Sequence, residues 1–339
     1  MNTTFTFLHI SDLHFAKGAN RLPSPLQKVS VDAIVKGVLG GTSTNWLKPA
    51  SHSTRAAKAL SRYLESDVLP KHSPDILLIT GDLAATGSVE DLEVAKEYIG
   101  PHRGGAWANR MQEPILAVSG LSLALIPGNH DRYREGTLKP GSMNFEQVFS
   151  SEWKPQSNCG RVSTAEVLKK NGLRVAVIGA DFTLRAAADC AEIHGYFGKG
   201  KVHSDVLSNL VDSTARAKES LHCSAVVWLV HFPPRFLGID PNLDLDLHDT
   251  LIAAAESLGV CAIFCGHTHK QSLYKAGGVI VCCAGSATES STTEDWQFSV
   301  CDLSFEANAL KSVVSTNYQY ESWDRNNFKV ASVQTESST

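Results

Sequence analysis

Residues that can bind metals or transfer protons follow short apolar runs at five places along the chain. They are Asp12 and His14 in "HISDLHF", Asp82 in "LITGDLAATG", Asn129, His130 and Asp131 in "IPGNHDRY", His231 in "WLVHFPP", and His267 and His269 in "IFCGHTHK". Their donor atoms are carboxylate oxygen, imidazole nitrogen and amide oxygen, a mixture that suits divalent ions such as Mn, Fe or Zn. One such segment alone is a weak signal, whereas five in succession indicate one site assembled from the whole chain.

The number of candidate ligands favours two metal ions over one. The seven candidates are Asp12, His14, Asp82, Asn129, His231, His267 and His269. A tetrahedral zinc ion takes only four ligands. Seven ligands fit two ions that share a bridging carboxylate, an arrangement that serves phosphoryl and hydrolytic chemistry.

The cysteines of "CAIFCGHTHK" raise a second interpretation, a compact structural zinc site. Its ligands would be Cys261, Cys265, His267 and His269. In an extended strand, Cys261 would lie more than about 20 Å from His269, too far for both to bind one ion. We therefore expect the cysteines to belong to a buried strand that delivers the histidine loop, with Gly266 letting the backbone approach the metals closely.

The elements that must position these residues alternate along the chain. Continuous apolar runs rich in Val and Ile are typical of strands buried on both faces, and they cover 5–10, 75–80, 122–127, 173–180, 225–230, 261–265 and 278–285. Helical periodicity covers 53–69, 88–99, 203–220 and 247–259. This alternation predicts an α/β fold, in which ligands gather at the carboxyl ends of the strands.

The later part of the chain predicts a mixed sheet and one domain. Segments 296–305 and 309–320 resemble strands without an intervening helix. We predict a single domain over residues 1–322 with loop insertions at about 16–52 and 132–160, followed by a polar tail over 323–339. Long loops often bind ligands or close over a site, and whether these two gate the site is left open.

Composition disfavours several classes of function. The chain has 339 residues, of which 43% are hydrophobic and 19% charged, with a formal net charge of -4. These values are typical of a soluble globular protein, and no basic patch predicts a nucleic-acid or acidic-membrane surface. The start does not resemble a signal peptide, no apolar run is long enough for a membrane helix, and the eight cysteines are scattered. We expect a cytoplasmic protein with reduced thiols and leave its oligomeric state open.

The order of the motifs resembles that of the calcineurin-like metallophosphoesterase family, whose pattern is D-x-H, G-D, G-N-H-[DE], H and G-H-x-H. The resemblance spans residues 5 to about 290. The motifs of the chain are similar to those of the bacterial branch related to cyclic AMP phosphodiesterases. It implies a four-layer α/β/β/α sandwich with two mixed β-sheets and a dinuclear metal site at the C-terminal ends of the strands.

The resemblance also implies a role for each motif residue. Asp12, His14 and His269 would bind the first metal, Asn129, His231 and His267 the second, and Asp82 both. His130 and Asp131 would be catalytic residues, His130 beside the substrate and Asp131 as a support for the local geometry.

The fourth motif is a single histidine, for which His194, His203 and His222 compete with His231. His231 is preferred because it directly follows "AVVWLV" and precedes Pro233 and Pro234, which end the strand.

The implied activity is hydrolysis of a small phosphodiester by a metal-bridging hydroxide, with a cyclic nucleotide as the first candidate substrate. Two ions per chain are implied, Mn and Fe first, with Zn, Ni and Co as alternatives. Asn129, His130, Arg132 and Arg235 would bind the substrate, with Arg134 and Lys270 as further phosphate-binding candidates. The alternatives are a nucleotide pyrophosphatase, a phosphomonoesterase, a nuclease, or a non-catalytic metal-binding scaffold.

Overall fold

The computed structural model describes residues 2–15, 54–100, 116, 121–134, 139–156, 158–186, 198–235, 245–288, 297–322 and 327–338. The predicted loop at 16–52 lies outside these residues. The strands are β1 (Asn2–Ile10), β2 (Ile76–Ile79), β3 (Ser122–Leu125), β4 (Pro155–Gln156), β5 (Cys159–Ser163), β6 (Glu166–Lys170), β7 (Leu173–Ala180), β8 (Ala225–Val230), β9 (Ala262–Cys265), β10 (Ser272–Ala276), β11 (Val279–Cys283), β12 (Gln297–Glu306), β13 (Ala309–Ser322) and β14 (Asn327–Ser337).

The helices lie between the strands, as the sequence predicts. They are α1 (Thr54–Tyr63), α2 (Leu69–His72), α3 (Val89–Ile99), α4 (Asn144–Val148), α5 (Ser204–Glu219) and α6 (His248–Ser257). A π-helical turn, Leu64–Val68, joins α1 to α2, and a 3₁₀ helix covers His130–Arg132. The helix α3 begins after Ser88, whose hydroxyl accepts a hydrogen bond from the backbone N–H of Asp91.

Two mixed sheets form the centre of the fold. The first has the order β14-β13-β12-β1-β2-β3 and the second the order β10-β11-β9-β8-β7-β5-β4, with β6 beside β7. Strands β1, β2 and β3 are parallel to one another, and so are β7, β8, β9 and β11. In the first sheet Ile10 lies beside Ile79, and Ile79 beside Leu125, so three strands end at the same level.

The core packs the two sheets against each other and the helices against the sheets. The rings of Phe7 in β1 and Phe264 in β9 lie 5.4 Å apart, which joins the two sheets. On the other face of the second sheet, Trp228 donates its indole N–H to Thr214 of α5. Full burial of an aliphatic or Phe side chain contributes about 1.5–3 kcal/mol. The residues of β7 alternate between the two faces of the sheet, both of which are packed, so its sequence is apolar throughout.

The C-terminal segment differs from the predicted polar tail. Residues Asn327–Ser337 form β14, the edge strand of the first sheet, antiparallel to β13. Phe328 anchors this strand, because its ring lies 5.3 Å from the rings of both Tyr63 and Phe298. The remaining polar side chains are those that an edge strand presents to solvent, so their polarity alone did not indicate a strand.

The segment predicted as a loop over 132–160 also contains regular structure. It holds α4 and β4, and its last two residues begin β5. Phe145 of α4 is buried and stacks on Phe149, with ring centroids 4.8 Å apart. Elements this short carry little periodicity, so their sequences resemble a loop.

Within the described part of the chain, no helix combines the length and the apolar character needed to cross a membrane.

Candidate metal centre

The structure brings the predicted ligands together where strands of both sheets end. Three groups of side chains have ligand atoms within 4.8 Å of one another. They are Asp12 with His14 and His269, His14 with Asp82 and His130, and Asp82 with His231 and His267. Among the described residues, these groups contain no cysteine, which does not support the compact zinc site.

The first group consists of Asp12, His14 and His269. The Oδ1 atom of Asp12 lies 3.3 Å from Nε2 of His269 and 3.7 Å from Nε2 of His14. The two imidazole Nε2 atoms are 3.3 Å apart. Three ligand atoms from the loops after β1 and β9 therefore lie close together.

Asp82 lies between the first group and the second. Its Oδ2 atom is 3.4 Å from Nε2 of His231 and 3.8 Å from Nε2 of His14. On the far side, Oδ1 of Asn129 lies 3.0 Å from Nε2 of His231. This is the position expected for a carboxylate that bridges two ions.

The orientation of His231 is fixed by a backbone carbonyl. Its Nδ1 atom lies 2.7 Å from the carbonyl oxygen of Thr80, which can only accept, so Nδ1 carries a hydrogen and donates it. Nε2 therefore faces Asp82 and Asn129, as in metal sites where the second ring nitrogen is held by the protein.

Five of the seven candidate ligands have left-handed backbone conformations. Their φ angles are 55° for Asp12, 47° for His14, 51° for Asp82, 70° for His267 and 56° for His269. Such conformations cost of order 1–3 kcal/mol each and cluster at functional sites. Backbone hydrogen bonds hold them, including those from the N–H groups of Asp12 and His14 to the carbonyls of Gly81 and Asp82.

Two glycines allow these loops to meet. A Cβ atom on Gly128 would lie 2.2 Å from Oδ1 of Asp82, and one on Gly266 would lie 1.8 Å from the hydroxyl of Ser11. Both distances are shorter than any real contact. Neither position can therefore hold a side chain without moving its neighbours.

Neighbouring charges shift the pKa values of several side chains in the centre. Burial alone would raise the pKa of Asp82, but the imidazoles of His231 and His130 hold that pKa well below its usual range. Burial opposes the charged form of His231, yet Asp82 outweighs it and raises the pKa of His231 to about 9. Burial and the neighbouring His231 hold the pKa of His267 well below its usual range.

The residues present fit a pair of bound cations. Oδ1 of Asp12 and both ring nitrogens of His267 are buried without a hydrogen-bond partner. An unsatisfied buried polar atom is costly, and a metal ion would satisfy these without a proton. The donor set of carboxylate, imidazole and amide oxygen is the one that Mn, Fe and Zn accept.

His130 lies beside the centre. Its backbone N–H donates to Oδ1 of Asp82 at 2.8 Å, and its Nδ1 lies 2.9 Å from the carbonyl oxygen of Ala85. Because that carbonyl accepts, Nδ1 bears the hydrogen. The ring centroids of His130 and His14 are 4.6 Å apart.

Asp131 faces the backbone. Its two carboxylate oxygens accept hydrogen bonds from the N–H groups of Leu83, Ala84 and Gly128. Burial and the nearby Asp82 raise its pKa to about 7. These contacts tie the loop after β2 to the loop after β3.

The prediction that Arg132 binds substrate is corrected by its contacts. Its guanidinium is buried and donates to Asp181, to Glu146 and to the carbonyl oxygen of Ser142. These contacts occupy all three guanidinium nitrogens, so none is left for a phosphate. Arg235 is exposed four residues after His231 and stays a prediction.

The competing histidines for the fourth motif lie elsewhere or outside the described residues. His203 precedes α5, where its ring lies 3.3 Å from the carbonyl oxygen of Thr183, and His222 is exposed. His194 falls outside the described residues. Of the described candidates, His231 alone is grouped with Asp82 and His267.

Some supporting residues were not indicated by the sequence. The hydroxyls of Ser286 and Thr288 donate to the carbonyl oxygens of Asp12 and Leu13. They follow β11, and nothing in "AGSAT" distinguishes them from ordinary loop residues. Only the three-dimensional pairing of this segment with the end of β1 indicates their role.

The fold and the ligand groups are those of a metal-dependent phosphoesterase. The family model described as calcineurin-like phosphoesterase matches residues 5–271, and the chain belongs to this family. Its members use a dinuclear metal centre and act on phosphoesters, although some are not catalytic.

Solved structures match the chain at low sequence identity. GAP50, the anchor in the inner membrane complex of Plasmodium, matches with a TM-score of 0.55 and 10% identity over 98% of this chain and 89% of that chain. A putative 5′-nucleotidase from Staphylococcus aureus has a TM-score of 0.47 and 15% identity, over 99% of this chain and 54% of its own. Vps29 from Cryptosporidium parvum has a TM-score of 0.36 and 13% identity over 98% of both chains. No curated protein sequence matches the chain significantly.

Proposed function

We propose that this chain is a phosphodiester hydrolase with a dinuclear metal centre. The seven ligands would be Asp12, His14, Asp82, Asn129, His231, His267 and His269. The observation that carries the proposal is the position of Asp82, whose Oδ2 atom lies between the imidazoles of His14 and His231. A hydrolase needs the complete ligand set, whereas a non-catalytic relative would typically have lost some of these ligands.

The bound ions would supply activation of water and stabilisation of charge on the phosphoryl oxygens. The chain's own residues would do the rest. Asp82, held ionised by the imidazoles around it, provides negative charge for both metal positions. His130 would act in its doubly protonated form, in which Nδ1–H stays bonded to the Ala85 carbonyl and Nε2 donates its proton to the departing alkoxide.

Asp131 is a positioning residue in this proposal. Its carboxylate accepts hydrogen bonds from three backbone N–H groups, two in the loop after β2 and one at Gly128. These bonds hold the loop after β2 against Gly128. Because the backbone N–H of His130 also donates to Asp82, the same loop fixes the bridging carboxylate and the candidate proton donor.

For the substrate, we propose a small phosphodiester and a cyclic nucleotide first. The support is the resemblance of "HISDLHF", "GNHD" and "GHTH" to the branch related to cyclic AMP phosphodiesterases. The net charge of -4 disfavours a nuclease, which needs a basic surface along the nucleic-acid backbone. We also propose a cytoplasmic location and Mn or Fe as the physiological ions.

The test is a hydrolysis panel with Mn²⁺. It would contain cyclic AMP, cyclic GMP, a nucleotide pyrophosphate, a phosphomonoester, single-stranded DNA and bis-p-nitrophenyl phosphate, alongside a measurement of metal content. About two ions per chain with turnover of the diesters would support the proposal, and the preferred diester would name the substrate class. Two ions without turnover of any substrate would instead indicate a non-catalytic scaffold.

A further inference from the structure

Tyr133 lies at the end of the 3₁₀ helix that carries His130. Its side chain is 1% exposed, and its backbone N–H donates to the carbonyl oxygen of His130. Its hydroxyl oxygen accepts two hydrogen bonds, one from Nδ2 of Asn129 at 2.9 Å and one from the backbone N–H of Gly198 at 2.9 Å. A buried hydroxyl that receives two N–H donors is a fixed acceptor.

Asn129 needs such an acceptor because its amide has two different ends. Only the oxygen, Oδ1, can bind a metal ion, since the amide nitrogen has no available lone pair. Oδ1 faces Nε2 of His231 at 3.0 Å only while Nδ2 points the other way, toward Tyr133. Without the hydroxyl, a flipped amide would place Nδ2 where Oδ1 now lies and leave no oxygen at the metal position.

The second hydrogen bond of Tyr133, from the backbone N–H of Gly198, lies on another side of the second metal position. A Cβ atom built on Gly198 would lie 3.6 Å from Cε1 of His267, so the Gly198 backbone packs beside this imidazole. The backbone N–H that Tyr133 holds therefore belongs to the residue that flanks His267. The Tyr133 hydroxyl therefore bonds directly to Asn129 and, through Gly198, supports the backbone beside His267. These are two of the three ligands implied for the second metal.

We propose that Tyr133 is a positioning residue for the metal position formed by Asn129, His231 and His267. Its hydroxyl selects the amide orientation that presents oxygen to the ion. The inference rests on the proposed function, because it assumes that Asn129 binds a metal.

The test measures the Mn²⁺ affinity of the full-length Tyr133→Phe variant by calorimetric titration, with Mn²⁺ as the only ligand. This substitution keeps the ring beside His130 and removes only the acceptor. Residues that support a metal ligand typically change affinity 10- to 100-fold when lost. We expect one of the two Mn²⁺ sites to weaken by about that factor and the other to stay within about threefold of wild type.

The matched control is Tyr318→Phe. Its hydroxyl is also hydrogen-bonded, to His72 at 2.6 Å, but it lies on β13 and contacts none of the candidate ligands in these groups. We expect both Mn²⁺ affinities to be unchanged in this variant. Tyr133→Phe with two wild-type affinities would overturn the role of Tyr133 while leaving the metal centre intact, whereas a wild-type chain without Mn²⁺ binding would overturn the proposed function as well.

Repeating the Tyr133→Phe substitution in an Asn129→Asp protein separates a role in amide orientation from general support of the fold. Asn129→Asp has oxygen at both ends of the side chain and needs no orientation. Loss of the Tyr133 hydroxyl should therefore cost Mn²⁺ affinity less than about threefold in Asn129→Asp, against 10- to 100-fold in the Asn129 background. An equal loss in both would assign Tyr133 to the fold and contradict the proposal. Should Tyr133→Phe fail to fold, Asn129→Asp alone decides, because tenfold weaker Mn²⁺ binding there would contradict orientation as the requirement.

Discussion

Asp82 and His231 come from different sheets, yet Oδ2 of the first lies 3.4 Å from Nε2 of the second. Asp82 follows β2 in the first sheet, and His231 follows β8 in the second. His231 is held in place by the carbonyl of Thr80, two residues before Asp82. The contact between the sheets is thus itself part of the candidate metal centre, so the fold and the site depend on each other.

Replacing Asp82 with Asn should remove the bridge. An amide carries no negative charge, so we expect Mn²⁺ content to fall below two ions per chain and diester hydrolysis to fall at least about 100-fold. Metal analysis and turnover of bis-p-nitrophenyl phosphate would check this. Asp249→Asn is the control, since Asp249 has an 87% exposed side chain. Full turnover with two bound ions in Asp82→Asn would contradict the bridging assignment.

Replacing His130 with Ala should separate metal binding from hydrolysis. Its ring is not among the seven proposed ligands, so we expect the Mn²⁺ content to stay at the wild-type value. Proton donation typically contributes 10²–10⁴-fold, and its loss should slow substrates with poor leaving groups most. A series of aryl phosphodiesters with different leaving-group pKa values would measure this, with His222→Ala as the exposed control. Equal slowing across the series would argue against proton donation.

The convergence of ligands was predictable from the sequence, because each follows an apolar run and parallel strands end at one edge of a sheet. The role of Arg132 was not, because its partners Asp181 and Glu146 are distant in sequence and unremarkable there. Strand β14 was missed for a different reason. A polar edge strand has the composition of a frayed tail, and only the packing of Phe328 distinguishes the two.

Gly128→Ala should disturb the centre through sterics alone. The added Cβ would lie 2.2 Å from Oδ1 of Asp82, which must move and take the bridging carboxylate with it. We expect at least tenfold weaker Mn²⁺ binding, because ligand geometry is held within fractions of an ångström. Gly160→Ala is the matched control, since nothing lies within 4 Å of a Cβ there. Titration of both variants with Mn²⁺ would measure the difference, and wild-type affinity in Gly128→Ala would show that the loop can give way.

Arg132→Met should destabilise the fold. It removes one of the two arginines paired with the fully buried carboxylate of Asp181 and leaves Arg161 as the other, so we expect a cost of about 3 kcal/mol, the lower end for breaking a buried ion pair. The control is Arg185→Met, which breaks a half-exposed ion pair with Asp205 worth about 0–1 kcal/mol. Urea unfolding would measure both. A raised KM with unchanged stability in Arg132→Met would instead restore the substrate-binding role predicted from the sequence.

His9 should make stability depend on pH. Burial lowers the pKa of His9 to about 3, while its Nε2 lies 2.9 Å from the Thr80 hydroxyl. In the unfolded chain the imidazole takes up a proton near pH 6.5, but in the folded chain it stays neutral down to about pH 3. The stability that neutral His9 contributes is therefore complete above pH 6.5 and is lost as the pH falls from 6.5 toward 3.

Between pH 7.5 and pH 5 this loss amounts to about 2 kcal/mol of the free energy of unfolding, relative to a variant without the titrating group. Urea unfolding of wild type and His9→Gln at several pH values would isolate it, because all other groups titrate alike in both proteins. Parallel curves for wild type and His9→Gln would mean that His9 accepts its proton in the folded protein, and that the buried contact with Thr80 opens at mildly acidic pH.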